Sequence, residues 1–375
     1  MNKRLALVLV SCVLGASAAL AQQAPPPYTA AIVMEPETKT VLLDENAHTM
    51  VPIASMTKMM TLMLVLDEIE AGRLEWTTPV TVSAKASKMG GSQVYLAHNE
   101  TFPVEDLVAA TMVHSANDAA MALAEKIGGS SDHFVQMMND KAAAMGLKET
   151  RFYSPHGLPD PGQQDDMMSP YDLAILGSEL MKSERMRKLA VTKEMPFRDG
   201  KFIMYNPNHL LRDYPEATGI KTGFHNKAGF CVTASARRGD LDLVAVVTGS
   251  KNKKDNFGSA ASLFNDAFRK WEKRTLVTKG KNMPTNVPVR EGIHESVGVV
   301  AGDAVNVLSE RGGKSGYRVS VSGDTPTAPV KQGQQVGWII VKKDGQPVAK
   351  VPALAANDIE RAGWFARTWD KVWPF

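Results

Sequence analysis

The order of strand and helix patterns constrains the fold more than any other feature of this 375-residue chain. An apolar hairpin pattern covers residues 30–43, and helix patterns dominate from there to residue 181. Strand patterns then return in three places, at 219–223, 229–236 and 241–247. The last two are joined by the turn signal Arg237-Arg238-Gly239-Asp240. This order predicts an α/β sandwich in which helices pack on an antiparallel sheet.

The helix patterns between the hairpin and these strands predict five helices, at 55–71, 107–113, 119–127, 134–145 and 171–181. Gly72 ends the first of them. A sixth helix pattern, at 259–271, follows the last strand. Together these segments predict one domain at residues 28–275.

Composition changes around residues 279–292, where Lys, Gly, Asn and Pro predominate and a linker is predicted. Three further strand patterns follow, at 305–308, 317–321 and 336–341. Gly312-Gly313 and Asp344-Gly345 supply turn signals, so a small all-β domain is predicted at 284–355. It contains no catalytic constellation, which favours a role as a spacer or adaptor.

The N-terminus has the three parts of an export signal. A basic start at residues 3–4, an apolar core at 5–14 and the small-residue site Ala19-Leu20-Ala21 predict a signal peptide at residues 1–21. The alternative is a lipoprotein signal, because Leu9-Val10-Ser11-Cys12 matches a lipobox. The apolar core before that lipobox is short, so the plain signal peptide is favoured. A transmembrane span is disfavoured because polar and small residues interrupt the apolar run.

Charge and composition narrow the classes of partner. The net charge is +3, and removal of Lys3 and Arg4 with the signal lowers it to +1, so no nucleic-acid partner is expected. Cleavage leaves one cysteine, Cys231, whose neighbours Phe230 and Val232 predict a strand and a buried, unreactive thiol. No Cys/His cluster has zinc-ligand spacing, so neither a metal nor another cofactor is predicted.

The chain ends in an amphipathic pattern. Apolar residues recur at helical spacing from Ile359 to Trp373, while Glu360 and Lys371 lie on the other face. A helix of this kind at 357–375 either caps a domain or lies in the plane of a membrane, where indole rings favour the headgroup region. The export signal favours the anchor. The sequence therefore predicts an exported protein held peripherally at the periplasmic face of the cytoplasmic membrane.

A serine and a lysine stand one turn apart at the start of the first predicted helix, in Pro-Ile-Ala-Ser55-Met-Thr-Lys58. At i and i+3 the hydroxyl and the amine share one face, and apolar neighbours would disfavour the charged form of Lys58. A neutral lysine is a base for a serine that is otherwise a poor nucleophile. An N-capping serine beside a snorkelling lysine is the alternative. Ser250-Lys-Asn-Lys253 repeats the spacing in a polar loop and is interpreted as accidental.

Two further segments accompany the Ser55/Lys58 pair. Ser115-Ala-Asn117 lies in the break between two predicted helices, where a capping turn is the alternative interpretation. Lys221-Thr222-Gly223 ends a predicted strand. It offers a cation, a hydroxyl for a carboxylate, and a glycine that lets a substrate backbone approach the strand edge. Each segment is common alone, but the three in this order form a specific signal.

In these three segments the sequence resembles the penicillin-binding proteins and serine β-lactamases, whose signature is Ser-x-x-Lys, Ser-x-Asn and Lys-Thr/Ser-Gly. It is most similar to the exported D-alanyl-D-alanine carboxypeptidases among the low-molecular-mass penicillin-binding proteins. The similarity extends to Gly90-Gly91-Ser92, Ser154-Pro-His-Gly-Leu158 and Ser169-Pro-Tyr-Asp-Leu-Ala174. It covers nearly the whole predicted mature chain, since a small β-domain and a terminal amphipathic helix follow in the family's order.

The resemblance implies a role for each matching residue. Ser55 is expected to be the acylated nucleophile, Lys58 its general base, and Ser115 the relay that passes a proton to the leaving D-alanine. The N–H groups of Ser55 and Phe224 are expected to form the oxyanion hole. Peptidoglycan stem peptides are the implied substrates and β-lactams the implied covalent inhibitors. The residues expected to bind the substrate are Asn117, Lys221, Thr222, Gly223 and Phe224.

One departure from the family concerns an arginine. Members often carry it after the strand that follows the hairpin with the Lys-Thr-Gly motif. Residues 249–256 hold lysines instead, so Lys251 or Lys253 is a candidate for binding the terminal carboxylate, although lysine lacks the bidentate fork of arginine. A solvated charged loop is the alternative for both. Weak carboxylate binding would favour a DD-endopeptidase that cleaves cross-links.

Two rival functions share the motifs. A β-lactamase of class A is disfavoured because its Glu-x-x-Leu-Asn segment is absent and because those enzymes lack an extra β-domain. A catalytically silent penicillin-binding scaffold is disfavoured because all six reactive groups of the three motifs are present. Labelling by a fluorescent penicillin separates the enzyme from a purely structural protein.

Overall fold

The computed structural model describes residues 25–159, 162–313 and 316–363. Its helices are α1 (Lys58–Glu70), α2 (Val104–Val113), α3 (Asn117–Gly128), α4 (Ser131–Ala144), α5 (Pro170–Leu180), α6 (Glu184–Ala190), α7 (Leu210–Asp213) and α8 (Lys253–Lys270). The strands up to α8 are β1 (Ala30–Glu35), β2 (Thr40–Glu45), β3 (Val51–Pro52), β4 (Pro79–Thr81), β5 (Thr101–Pro103), β6 (Thr150–Arg151), β7 (Met167–Met168), β8 (Glu194–Phe197), β9 (Phe202–Tyr205), β10 (Ala217–His225), β11 (Gly229–Arg238) and β12 (Leu241–Ser250). The strands after α8 are β13 (Trp271–Val277), β14 (Asn282–Pro288), β15 (Ser296–Ala301), β16 (Val305–Glu310), β17 (Tyr317–Gly323), β18 (Gln335–Lys343) and β19 (Gln346–Ala355).

A five-stranded antiparallel sheet, ordered β10-β11-β12-β1-β2, lies at the centre of the first region, residues 25–270. All six residues of β1 are buried because both faces of the sheet are covered. Ile32 and Met34 join the apolar cluster that includes α1, α2 and α5, whereas Ala31 and Val33 pack with side chains of α8. Burial on both faces explains why residues 30–34 of β1 form an unbroken apolar run before Glu35. The predicted α/β sandwich is confirmed.

Most predicted elements of the first region are confirmed within a few residues, but the start of the first helix is corrected. The helix was expected from Ser55; residues 54–57 form a 3-10 turn, and α1 begins at Lys58. Side chains at i and i+3 eclipse in a 3-10 turn, so the pair stays on one face. The sequence patterns missed α6 and the β8–β9 hairpin, which are short elements with weak periodicity.

The second region, residues 271–363, is all β in the part that the structure describes. One sheet is ordered β14-β15-β19-β18-β17, and β13 pairs with β16. Its core consists of valine, alanine and isoleucine side chains, for example Val297, Ile339 and Val341, each fully buried. The turn predicted at Asp344-Gly345 joins β18 to β19, and both of its residues have a positive φ. The predicted small all-β domain is confirmed.

The linker predicted at 279–292 is wrong for most of its length. Residues 282–288 form β14, an edge strand, and Val287 and Val289 are buried in the core of the second region. An edge strand tolerates proline because one row of its N–H groups has no strand partner. The polar composition of the segment therefore reflects its solvent-facing side and does not mark a connection between domains.

The helix predicted at 357–375 is wrong over its first residues. Ile359 pairs with Val330 in an antiparallel bridge and is 1% exposed in the β core, and Arg361 forms a second bridge with Gly292. Ile359 therefore contributes to the core of the second region and is not part of an apolar helix face. Residues 364–375, with the rest of the predicted helix, lie outside the described part of the chain.

The predicted signal peptide also lies outside the described residues. Among the helices of the described ranges, none has the length and apolar character needed to cross a bilayer.

Candidate active site

Ser55 lies at the centre of the site, in the 3-10 turn between β3 and α1. The residue before it, Ala54, has a φ of +47°, a conformation that non-glycine residues rarely adopt. Gly157 packs against this turn so closely that a Cβ there would come within 1.9 Å of the Ala54 carbonyl oxygen. The turn thus fixes the Ser55 backbone and leaves its hydroxyl facing a cleft.

Lys58 is completely buried, and its Nζ lies 2.9 Å from Ser55 Oγ. The same Nζ donates to Asn117 Oδ1 at 2.5 Å and to the His156 carbonyl oxygen at 2.7 Å. Burial, followed by the nearby Lys221, holds the pKa of Lys58 well below its usual value. A neutral amine has two N–H groups and one lone pair. Since two oxygens that only accept take the N–H groups, the lone pair faces the Ser55 hydroxyl.

Lys221 is the second buried amine of the site, and it is 2% exposed. Its Nζ donates to Ser115 Oγ at 2.7 Å, so β10 and the α2–α3 connection meet at this contact. Burial lowers the pKa of Lys221 to about 7. Ser115 has a φ of +63°, which turns its side chain out of the helical path. The amine is therefore able to exchange a proton with Ser115 near neutral pH.

Asn117 begins α3, but its side chain does not cap the helix. Its Oδ1 accepts from Lys58, and its Nδ2 donates to the Gly90 carbonyl oxygen at 2.7 Å. The carboxamide therefore holds Lys58 and the loop that contains Gly90 in a fixed relation. The capping interpretation of Ser115-Ala-Asn117 is wrong for this side chain.

The edge strand β10 forms one wall of the site through Thr222, Gly223 and Phe224. A Cβ at Gly223 would lie 2.5 Å from the Ile53 carbonyl oxygen and 3.2 Å from the Ser55 backbone nitrogen. Only glycine allows the strand to pass so close to Ser55. The missing side chain therefore makes room for the turn that contains Ser55, and not for a substrate backbone as predicted. Phe224 is 53% exposed, and its ring stacks on Phe230 with centroids 4.2 Å apart.

The cleft at Ser55 has a volume of about 340 Å³, and its walls include Ser115, Asn117, Thr222 and Lys253. Lys251 lies instead in a neighbouring cavity of about 630 Å³ that shares Phe224 and Phe230. The larger cavity is not lined by Ser55, Ser115 or Thr222, so the smaller cleft is the candidate active site. Of the two lysines considered for the substrate carboxylate, Lys253 lines the cleft that contains Ser55 and Lys251 does not.

The three motifs do not include two residues that form hydrogen bonds to Thr57 and Lys58. Asp166 accepts a hydrogen bond from Thr57 at 2.9 Å, next to Lys58, and His156 supplies the carbonyl that binds the Lys58 amine. The segment Ser154–Leu158 was part of the family resemblance, but its residues carry no obvious chemistry in sequence. Cys231 is buried and unreactive as predicted, since burial raises the pKa of its thiol to about 12.

Comparison with known proteins agrees with the fold and the site. A family model described as D-alanyl-D-alanine carboxypeptidase matches residues 17–252, and one described as penicillin-binding protein 5, C-terminal domain, matches residues 271–361. D-alanyl-D-alanine carboxypeptidase DacF of Bacillus subtilis is 33% identical over 89% of this chain and 86% of its own length. DacC of Escherichia coli is also 33% identical, over 91% of this chain and 86% of its own length.

Among solved structures, penicillin binding protein 5 from Haemophilus influenzae superposes with a TM-score of 0.68 and 29% identity. The match covers 90% of this chain and 99% of that chain, so it includes both regions. The penicillin-binding fold predicted from the motifs, with its C-terminal all-β domain, is confirmed. The chain belongs to the D-alanyl-D-alanine carboxypeptidase family of serine-type hydrolases.

Proposed function

We propose that this protein removes the terminal D-alanine from peptidoglycan stem pentapeptides through an acyl-enzyme on Ser55. The observation that carries the proposal is the geometry of Lys58, a buried amine 2.9 Å from Ser55 Oγ whose two N–H groups are engaged by Asn117 and His156. That arrangement presents a basic lone pair to a serine hydroxyl, which is the requirement for nucleophilic attack.

In the acylation step, Ser55 Oγ attacks the carbonyl carbon of the penultimate D-alanine while its proton passes to Lys58 Nζ. The backbone N–H groups of Ser55 and Phe224 take the developing oxyanion. Ser115, hydrogen-bonded to Lys221 at 2.7 Å, delivers a proton to the leaving amine as the peptide C–N bond breaks. The proton that Lys58 took from Ser55 then replaces the one that Ser115 gave up, so Lys58 is neutral again. Water attacks the ester with Lys58 as base, Ser55 Oγ regains a proton as the ester C–O bond breaks, and the shortened peptide departs with its new carboxyl group.

Substrate orientation is assigned to the opposite walls of the cleft. Asn117 holds the acyl side of the peptide, and Thr222 binds the terminal carboxylate beside the open edge of β10. Lys221 sets the local positive potential. Penicillins, which also carry a carboxylate next to a strained amide, acylate Ser55 in the same way and inhibit the enzyme.

The test is labelling with a fluorescent penicillin. Ser55→Ala abolishes the covalent adduct, whereas Ser250→Ala, in the second Ser-x-x-Lys of the chain, leaves it intact. A wild-type protein that forms no adduct at Ser55 contradicts the proposal, as does an adduct that survives in Ser55→Ala.

Lys253 supports carboxypeptidase over endopeptidase activity. Lys253 lines the same cleft as Thr222, and none of the described residues that line this cleft is an aspartate or a glutamate. A free terminal carboxylate is therefore attracted there. Lys253→Ala is expected to lower D-alanine release from a pentapeptide more than cleavage of a cross-linked dimer. The exposed neighbour Lys254, outside the cleft, is the matched control. Equal losses on both substrates contradict this role.

We further propose that the protein is exported by residues 1–21, acts on the periplasmic face of the cytoplasmic membrane, and is held there by the terminal segment that contains Trp364, Trp369 and Trp373. The second region then acts as a spacer between membrane and cell wall. Deletion of residues 364–375 is expected to move the mature protein from the membrane pellet to the soluble fraction. A full-length protein that is already soluble contradicts the anchor.

A further inference from the structure

Asp166 is a buried carboxylate, 4% exposed, that no motif singles out. Its Oδ1 accepts the backbone N–H groups of Tyr153 at 2.5 Å and of Ser154 at 2.9 Å. Its Oδ2 accepts the hydroxyl groups of Thr57 at 2.9 Å and of Ser154 at 2.8 Å. Burial raises the pKa of Asp166, but these four donors each favour the ionised carboxylate.

The contacts of Asp166 lead to Lys58 by two routes. The first runs through Thr57, the residue immediately before Lys58, and the Asp166 carbonyl oxygen also accepts the N–H of Ile53 at 3.1 Å. The turn that contains Ser55 is therefore held at both of its ends by one residue.

The second route runs through the turn at residues 154–157. Ser154 Oγ donates to Asp166 and accepts the Gly157 N–H at 2.8 Å. This fold of the chain directs the His156 carbonyl oxygen at Lys58 Nζ, 2.7 Å away. Loss of the Asp166 carboxylate would release the turn that supplies one of the three oxygen partners of Lys58.

Asp166 also sets part of the electrostatic environment of Lys58. The charged groups that face this amine are Lys221 on β10, Asp118 on α3 and Asp166, while His156 is neutral because burial lowers its pKa to about 3. Burial and Lys221 disfavour a proton on Lys58, and the two carboxylates favour it. When Lys58 takes the proton of Ser55, the new ammonium is stabilised by these two carboxylates.

We propose that Asp166 is a positioning residue for Lys58, which fixes the amine through the Thr57 and His156 contacts and stabilises it once it has accepted the Ser55 proton. The inference rests on the proposed function, which makes Lys58 the base. Because Lys58 is desolvated and lies near Lys221, its protonated form is disfavoured. The negative charge of Asp166 restores enough basicity for Lys58 to accept a proton from a serine.

Asp166→Asn keeps the shape of the side chain and removes its charge. The matched control is Asp172→Asn. Asp172 is 3% exposed, and its carboxylate accepts the Glu149 N–H at 2.8 Å and the Thr150 hydroxyl at 2.7 Å, neither of which belongs to the site. Both carboxylates are buried and accept hydrogen bonds from backbone N–H and hydroxyl groups, so the two variants impose similar structural losses, but of the two only Asp166 acts on the charge of Lys58.

The measurement is the rate constant for acylation by a fluorescent penicillin between pH 5 and pH 10. The rate rises with pH as Lys58 loses its proton. Without the negative charge of Asp166 the Lys58 pKa falls, so the acid limb moves to lower pH by about one unit. The plateau rate falls roughly tenfold because the amine is a weaker, less well-placed base. Asp172→Asn keeps the wild-type limb. An Asp166→Asn limb that coincides with that of Asp172→Asn overturns the inference.

Direct titration of Lys58 by NMR, on protein labelled with ¹³C-lysine and assigned with Lys58→Ala, separates this inference from the proposed function. A wild type that is not acylated contradicts the function, while the Lys58 pKa of Asp166→Asn still decides the role of Asp166.

If Asp166→Asn does not fold, Ser154→Ala replaces it. Loss of one hydrogen bond in the support is expected to slow acylation about fivefold. Ser169→Ala, which removes a buried helix cap elsewhere, leaves the rate unchanged. A wild-type rate in Ser154→Ala rejects the positioning role.

Discussion

The two regions of the molecule bury different chemistry. The first region buries the amines of Lys58 and Lys221, the carboxylate of Asp166 and the carboxamide of Asn117, each of them 4% exposed or less. In the second region, every buried side chain among the residues that the structure describes is apolar. Burial of an unpaired charge costs several kcal/mol, so a fold retains such groups only where they are paired or used.

This difference teaches where each kind of change will act. The polar interior of the first region is destabilising in itself and forms the reaction site, so substitutions there alter catalysis and can even increase stability. The interior of the second region contributes only through apolar burial and packing, so substitutions there alter stability alone. Four experiments test that division.

The largest effect is expected from Lys58→Ala. Removal of a general base lowers reaction rates by about 10² to 10⁴, so acylation by a fluorescent penicillin falls at least a hundredfold. The near-ultraviolet circular dichroism spectrum stays that of the folded protein, because removal of a desolvated amine offsets part of the packing that is lost with this buried side chain. Lys254→Ala, on the exposed start of α8, is the control. Acylation of Lys58→Ala near the wild-type rate would show that the base lies elsewhere.

Lys221→Met is expected to lower activity and to raise the stability of the first region. The folded pKa of Lys221 is about 7 and its ordinary value is 10.5. Below pH 7, Lys221 is charged in both the folded and the unfolded protein, and the full free-energy cost of burying its charge lowers the stability. Between pH 7 and 10.5 the unfolded state binds more protons, so wild-type stability rises with pH and the cost disappears.

The variant therefore gains about 5 kcal/mol in free energy of unfolding at pH 6, and this gain shrinks towards zero as the pH approaches 10.5. Urea unfolding at several pH values measures it. A gain that is independent of pH would show that improved packing, and not removal of the charge, is responsible.

Ile339→Ala is expected to do the reverse. Ile339 is fully buried in the second region, and loss of a buried isoleucine side chain costs about 2 to 4 kcal/mol. The unfolding transition of the second region shifts by this amount, while the acylation rate stays within about twofold of wild type. Ile340, its half-exposed neighbour on the opposite face of β18, is the control and loses less when changed to alanine. A parallel loss of acylation would mean that the second region supports the site.

The smallest effect is expected from Glu37→Ala, which removes an ion pair between the regions. Glu37 lies in the β1–β2 turn and contacts Lys273 of β13, and its side chain is 69% exposed. Exposed pairs contribute about 0 to 1 kcal/mol, so both unfolding transitions and the acylation rate stay almost unchanged. A shift of both transitions together would show that the regions unfold as one unit.

Much of the site was predictable because its residues belong to three short sequence motifs. Ser55/Lys58, Ser115/Asn117 and Lys221-Thr222-Gly223 were identified from order and residue type, and the structure brings all three together at one cleft. Their catalytic roles stay predictions until the labelling experiments are done. The 3-10 turn at Ser55 was missed because helical periodicity does not separate it from the first turn of an α-helix.

Composition gave a wrong prediction where most side chains of a segment are polar and face the solvent. Residues 282–288 looked like a linker, yet Val287 belongs to the β core. Ile359 fitted a helical face equally well, and only its pairing with Val330 shows that the chain is extended there. Periodicity records which residues are apolar, but it does not record which partner covers them.

The fold class and the family followed from the sequence alone, as did the candidate site residues, since strand order, helix patterns and short motifs are local properties of the chain. Only the tertiary structure decided that Lys253 and not Lys251 reaches the cleft. It also brought the carboxylate of residue 166, more than 100 positions along the chain from Thr57, into a hydrogen bond with the residue before Lys58. Hydrogen bonds and electrostatic interactions depend on distance in space, and the folded chain alone fixes those distances.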